Sequence, residues 1–389
     1  GANQIRQPLD NLRFAGTLYG AIIYQKAPIV MRHLENRVGG NTFRRGMREY
    51  LATYSYGNAS WPDLIAILDK LTDEDLNAWS QVWVSEAGRP NITVQRQGDD
   101  ALISQQDPQG EGRVWPQTVN VRVGSADASE IYTIELGEKP QRLVGAGEKD
   151  FILPNGSGLE YGNFLLDKAS RSYLIENISN LESALLRGAV WVTLWDQLLE
   201  GYLAPSVFTD ALLKAIPIEQ DELVVASLLG YLSNVYWNYG GDKERKTLGM
   251  KIESILWTQV NSDRSRSARS AFYASYRQLA LSDEAVGRLE RLWLGDESVD
   301  GLPLSEPEQI GLASGLALRG LSNAEELLDQ QRQRIANPDR LARFDFVRPA
   351  LSADLASRKS FFESLAQLKN RNREAWVLNG LQYLSHPLR

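Results

Sequence analysis

Cysteine is absent from this chain of 389 residues, which excludes disulfides, thiolate nucleophiles and Cys-ligated zinc. Histidine is nearly as scarce, with only His33 and His386. Neither has a partner at metal-ligand spacing, whereas a catalytic zinc takes three protein ligands and a serine triad needs a placed base. No metal ligand is therefore expected within these residues. Also missing are a Gly-x-Ser-x-Gly elbow, a Gly-rich loop ending in Gly-Lys-Ser/Thr, and a spaced Asp/Asn/Gly loop for a harder cation. No apolar run approaches the roughly 18 residues of a membrane span. Leu223 to Leu232, broken by Ser and Gly, reads instead as a buried helix. A formal charge of −7 and the lack of an undiluted basic cluster argue against a nucleic-acid partner.

What is present is the composition of a folded protein, 43% hydrophobic and 23% charged. The length suggests two or three domains. From about residue 16 to residue 88 the apolar period is helical. Pro28 suits a first helical turn, Val30, Met31, Leu34 and Val38 follow at helical spacing, and Gly39-Gly40 ends the run. A second helix is predicted over Phe43 to Tyr54, a third behind an N-cap at Ser60, and a fourth around Leu76, Trp79 and Val82. After Pro90 the period turns alternating. Ile92 to Val94, Val119 to Val123 and Ile131 to Leu136 read as half-buried strands of a small antiparallel sandwich.

From about Ser170 helices return to the end of the chain. Ser305 with Glu308 and Ser322 with Glu325 fit capping boxes, and Asp221 and Asp242 suit N-caps. Helices separated by short polar breaks suggest stacked pairs in a solenoid of the HEAT/armadillo-like kind. The chain is thus expected to be multidomain and mainly α, with helices over 1–90, a β-sandwich over 91–169 and a helical solenoid over 170–389.

Ile22-Ile23-Tyr24-Gln25-Lys26-Ala27-Pro28-Ile29-Val30-Met31-Arg32-His33-Leu34-Glu35 resembles the tyrosine segment of the zinc aminopeptidases related to aminopeptidase N and leukotriene hydrolase. Gly46 to Leu51 and Tyr56 to Leu64 are similar to that family's helices after the tyrosine. Trp79 to Pro90 resembles the exit from its gluzincin catalytic domain, and Leu153 to Gly162 the end of its sandwich. Ala27-Pro28 stands where the family usually has glycine after the lysine. The resemblance implies that the chain is the C-terminal portion of a zinc aminopeptidase acting on peptides. Tyr24 would then be the oxyanion donor, and the later domains would cap the substrate cavity. The His-Glu-x-x-His helix is not among these residues, so zinc is expected in the full-length parent and no activity from this chain alone.

The same residues carry plainer readings. Tyr24 alone reads as a core tyrosine whose hydroxyl finds a backbone partner; Lys26 reads as a solvated or structural helix-start residue, and His33 as structural. Arg343, in Arg343-Phe344-Asp345-Phe346, matches the position where the leukotriene-hydrolase helical domain holds a peptide's terminal carboxylate. A guanidinium fork suits that contact, but an ordinary surface or inter-helix pair with a neighbour such as Asp345 explains it as well. The alternative for the whole chain is a non-catalytic peptide-binding or helical-repeat scaffold protein related to the peptidases.

Overall fold

The computed structural model describes residues 3–9, 11, 20, 22–125 and 128–389. It is mainly helical, with two small sheets, and divides into two compact units, 1–204 and 205–389. The expected start of the first helix near residue 16 lies outside the described residues.

In the first unit a π-helical turn, Ile22–Lys26, runs directly into α1 (Ala27–Val38). Pro28 lies in the first turn of α1, where its missing N–H has no intrahelical role to lose. Gly39, at φ +82°, ends α1 and lets α2 (Gly40–Thr53) begin at once, three residues before the start expected from the sequence. Helix α3 (Trp61–Asp69) opens on Ser60 as expected, in a capping box closed by Asp63. It packs against α2 across Gly46, where a Cβ would stand 2.3 Å from Leu68 Cδ2. Asp75 caps the short α4 (Leu76–Ser80), which passes into a second π turn, Gln81–Ser85. Val30, Leu34, Leu64, Leu68, Trp79 and Trp83 form the core of this part.

The strands β1 (Asn91–Gln97), β2 (Asp100–Gln106), β3 (Gln117–Gly124), β4 (Ser129–Leu136), β5 (Gln141–Leu143), β6 (Phe151–Leu153) and β7 (Asn163–Leu165) make two sheets, ordered β5-β2-β1-β7 and β4-β3-β6. Alternation places Ile92, Val94 and Ile103 of one sheet and Val119, Val121 and Val123 of the other in a shared core. The antiparallel expectation needs one correction: β7 pairs parallel with β1, Asn91 opposite Asn163, because the chain returns to that edge after crossing the other sheet. Two helices complete the unit, α5 (Lys168–Asn177) and α6 (Ala184–Leu199).

The second unit is helical throughout its described residues. Its elements are α7 (Pro205–Ala215), α8 (Glu222–Asn238), α9 (Asp242–Val260), α10 (Arg266–Leu279), α11 (Asp283–Leu294), α12 (Glu306–Leu318), α13 (Ala324–Arg334), α14 (Pro338–Leu351), α15 (Leu355–Ser364) and α16 (Glu374–Leu384). Asp221 caps α8 and the Ser305–Glu308 box opens α12, as the spacing suggests. Two caps fall elsewhere. Asn323, not Ser322, precedes α13, and Gly241, not Asp242, precedes α9. Asp242 sits inside the first turn and pairs with Arg245 at 2.6 Å, which takes its carboxylate away from the orphan N–H groups.

Candidate active site

Tyr24 lies in the π turn that leads into α1, and its side chain is 68% exposed. Its backbone N–H donates to the Gly20 carbonyl at 3.1 Å. The apolar face of α1, carried by Val30, Leu34 and Val38, turns into the core, while Tyr24 stays outside it. The core-tyrosine reading therefore fails on burial.

Lys26, two residues on, is 3% exposed, so the solvated option for this side chain is overturned. Its ammonium donates to the Asn3 carbonyl at 2.9 Å and stands 5.2 Å from the centre of the Tyr161 ring. Burial pulls its pKa down to about 8. The phenol of Tyr161 donates to the Gly88 carbonyl at 3.2 Å, and burial pushes its pKa up to about 12.

His33, further along α1, packs edge-on against Trp83 at 5.1 Å, with Nε2 2.7 Å from the Leu159 carbonyl. Burial lowers its pKa against the opposing pull of that carbonyl and of Glu160, so the ring is neutral at pH 7 and Nε2 carries the donated hydrogen. The segment that receives these contacts is itself held. Gln117 accepts from the Tyr161 N–H at 3.0 Å and donates to its carbonyl at 2.8 Å. The buried Glu160 carboxylate accepts from the N–H groups of Asn120 and Leu159 and from the Ser157 hydroxyl.

Residues 1–83 match the Peptidase family M1 domain. The chain is 24% identical to Aminopeptidase N of Streptomyces lividans over 94% of its own length and 45% of that protein. The chain is thus similar to M1 aminopeptidases, with the family domain matched over its first 83 residues. Tricorn protease-interacting factor F2 of Thermoplasma volcanium is 23% identical over 56% of this chain and 27% of its own length. Probable M1 family aminopeptidase 1 of Encephalitozoon cuniculi is 27% identical over 46% of this chain and 21% of its own length. The chain thus spans about half the length, or less, of these relatives.

Family M1 is a zinc family, and the residues here do not form its metal site. Among the described residues no cluster of three or more His, Asp or Glu side chains is set to hold a metal ion. His33 is committed to Leu159 and Trp83. In the second unit, His386 packs on Trp237 at 4.7 Å and accepts from the Leu388 N–H at 3.2 Å. Burial, together with Arg319, Arg389 and Arg245, drives its pKa down to about 4. Among the described residues no helix is long and apolar enough to cross a membrane.

Arg343 lies on α14, exposed, and donates to Asn379 at 3.1 Å. Asp345 does not neutralise it, because that carboxylate takes both arms of the Arg332 fork at 2.7 and 2.8 Å. Phe344 is buried, and Phe346 packs on Phe361 and Trp376. Sequence reasoning missed Gln117, Glu160 and Tyr161. Nothing local marks a glutamine in a strand as the clamp of a segment over forty residues away, although Leu153 to Gly162 already stood out as a motif.

Proposed function

We propose that the chain is the C-terminal part of a zinc-dependent aminopeptidase, which removes N-terminal residues from peptides, and that Tyr24 is its oxyanion donor. The observation that carries this reading is the exposed phenol on a turn whose neighbour Lys26 is buried and whose following helix is packed along one face. When water attacks a peptide carbonyl, negative charge develops on the oxygen; a hydroxyl fixed beside it stabilises the transition state more than the ground state. Residues 1–90 are read as the helical end of the gluzincin catalytic domain, 91–169 as a separate β-sandwich domain and 170–389 as a HEAT/armadillo-like helical array. Zinc belongs to the full-length protein in this reading, and Arg343 is kept as a contact for a peptide's terminal carboxylate.

Two measurements test the proposal. The coding sequence upstream of Gly1 should carry a His-Glu-x-x-His helix with a further Glu beyond it; its absence favours the non-catalytic relative. In the full-length protein, Tyr24→Phe should lower kcat about a hundredfold with little change in KM, on the order of 3 kcal/mol for one oxyanion donor. An unaltered kcat returns Tyr24 to a structural role.

A further inference from the structure

The helix that presents Tyr24 is anchored twice, and both anchors reach the same short segment at the end of the sandwich. Lys26, in the same π turn as Tyr24, lies over the Tyr161 ring. His33, about two turns further along α1, holds the Leu159 carbonyl. One contact between a helix and a platform leaves the helix free to pivot, whereas two contacts along its axis fix both its direction and its register.

The platform is stiff for identifiable reasons. Gln117 clamps both backbone groups of Tyr161, Glu160 gathers N–H groups from Asn120 and Leu159, and the Tyr161 hydroxyl is tied to the Gly88 carbonyl. Gly156 fits against the β3 backbone so closely that a Cβ there would stand 2.5 Å from the Asn120 carbonyl oxygen. The ring of Tyr161 also meets Trp83 at 5.5 Å, the indole that carries His33 on its edge. Lys26, Tyr161, Trp83 and His33 therefore form one continuous packed chain from the tyrosine turn to the sandwich.

We infer that the sandwich segment 157–161 is the seat that sets the position of the Tyr24 hydroxyl, with Lys26 and Tyr161 as the positioning pair. This rests on the reading of Tyr24 as oxyanion donor. Neither Lys26 nor Tyr161 touches substrate in this scheme; each acts through the backbone of the π turn. The alternative is that the pair only packs the core. The two accounts separate on turnover, because a donor displaced by a fraction of an ångström loses transition-state stabilisation while substrate binding elsewhere is unchanged.

The test compares variants of the full-length protein for kcat, KM and melting temperature. Tyr161→Leu should lower kcat about tenfold with KM within about twofold. Tyr161→Phe, which keeps the ring under Lys26 and removes the hydroxyl that is bonded to Gly88, should recover most of it. Lys26→Met reads the same contact from the other side and should lower kcat in parallel, so the inference does not depend on Tyr161→Leu folding. Leu143→Ala, in the sandwich core but outside this chain of contacts, supplies a destabilised control that should keep its kcat. If Tyr24→Phe lowers kcat while Tyr161→Leu and Lys26→Met leave it unchanged, the inference is overturned and the donor reading stands. If Tyr24→Phe is itself silent, the donor reading falls and takes the inference with it.

Discussion

Lys26 in the first unit is buried and Arg319 in the second half-buried, and the two cations are satisfied in different ways. Among the described residues the Lys26 ammonium meets one carbonyl, that of Asn3, and the face of one ring. The Arg319 guanidinium donates to four carbonyls, those of Ala280 at 2.6 Å, Gly315 at 2.7 Å, and Arg277 and Gln278 at 3.1 Å each. Two of those four, Arg277 and Gln278, lie in the last turn of α10 and a third, Ala280, is the residue that caps it, where the last carbonyls of a helix have no intrahelical donor. Arg319 is thus a side-chain cap delivered from α12, and the planar fork suits several fixed acceptors at once. Lys26, a point charge with few acceptors, contributes little net stability. Burial lowers the pKa of both by a similar amount, Lys26 from 10.5 to about 8 and Arg319 from 12.5 to about 10, so the difference between them lies in the acceptors and not in the pKa.

That contrast can be broken most sharply at Arg319. Arg319→Ala removes the side-chain donor from the carbonyls at and just after the end of α10 and should destabilise the second unit by about 1 to 3 kcal/mol, read as a fall in the urea midpoint. Arg319→Lys should recover only part of this, since one ammonium cannot reach the same set. If the alanine variant unfolds like the parent, the cap is supplied by something else.

Lys26 gives the opposite signature. Its folded pKa lies below the 10.5 of the free side chain, so between about pH 8 and 10.5 the unfolded chain holds the proton that the folded chain has lost. Stability should therefore rise with pH across that window, by about 1 to 2 kcal/mol after allowance for residual solvent screening, and Lys26→Met should remove the rise. A Lys26→Met profile parallel to that of the parent would show that the ammonium is well solvated.

The smallest effect concerns His386. Its folded pKa of about 4 lies below the ordinary 6.5, so the contribution is fully present above pH 6.5 and is lost as pH falls toward 4, where the folded state also takes the proton. A loss of roughly 1 kcal/mol is expected, short of the full shift because the ring is partly in water, and His386→Gln should flatten it. His33, also lowered by burial, adds a loss of the same sign in the first unit. The variant therefore removes only its own share of the acid dependence.

Much of this was legible in the sequence because it depends on neighbours along the chain. Helical spacing placed Val30, Leu34 and Val38 inside, alternation placed Val119 to Val123 in a strand, and Ser60 and Ser305 marked helix starts. The tyrosine turn and the motif at 153–162 were visible for the same reason. The cap positions at Ser322 and Asp242 misled because a suitable residue type is necessary for a cap but does not choose between adjacent candidates; a nearby arginine took Asp242.

By itself the sequence determined the order of helical, β and helical stretches, the scarcity of histidine, and the tyrosine turn. Tertiary structure alone decided that Lys26 is buried against Tyr161, that His33 reaches Leu159, and that β7 returns to lie parallel beside β1. The physical reason is distance along the chain: periodicity and capping are set within a turn or a strand, whereas these contacts join residues that only packing brings together.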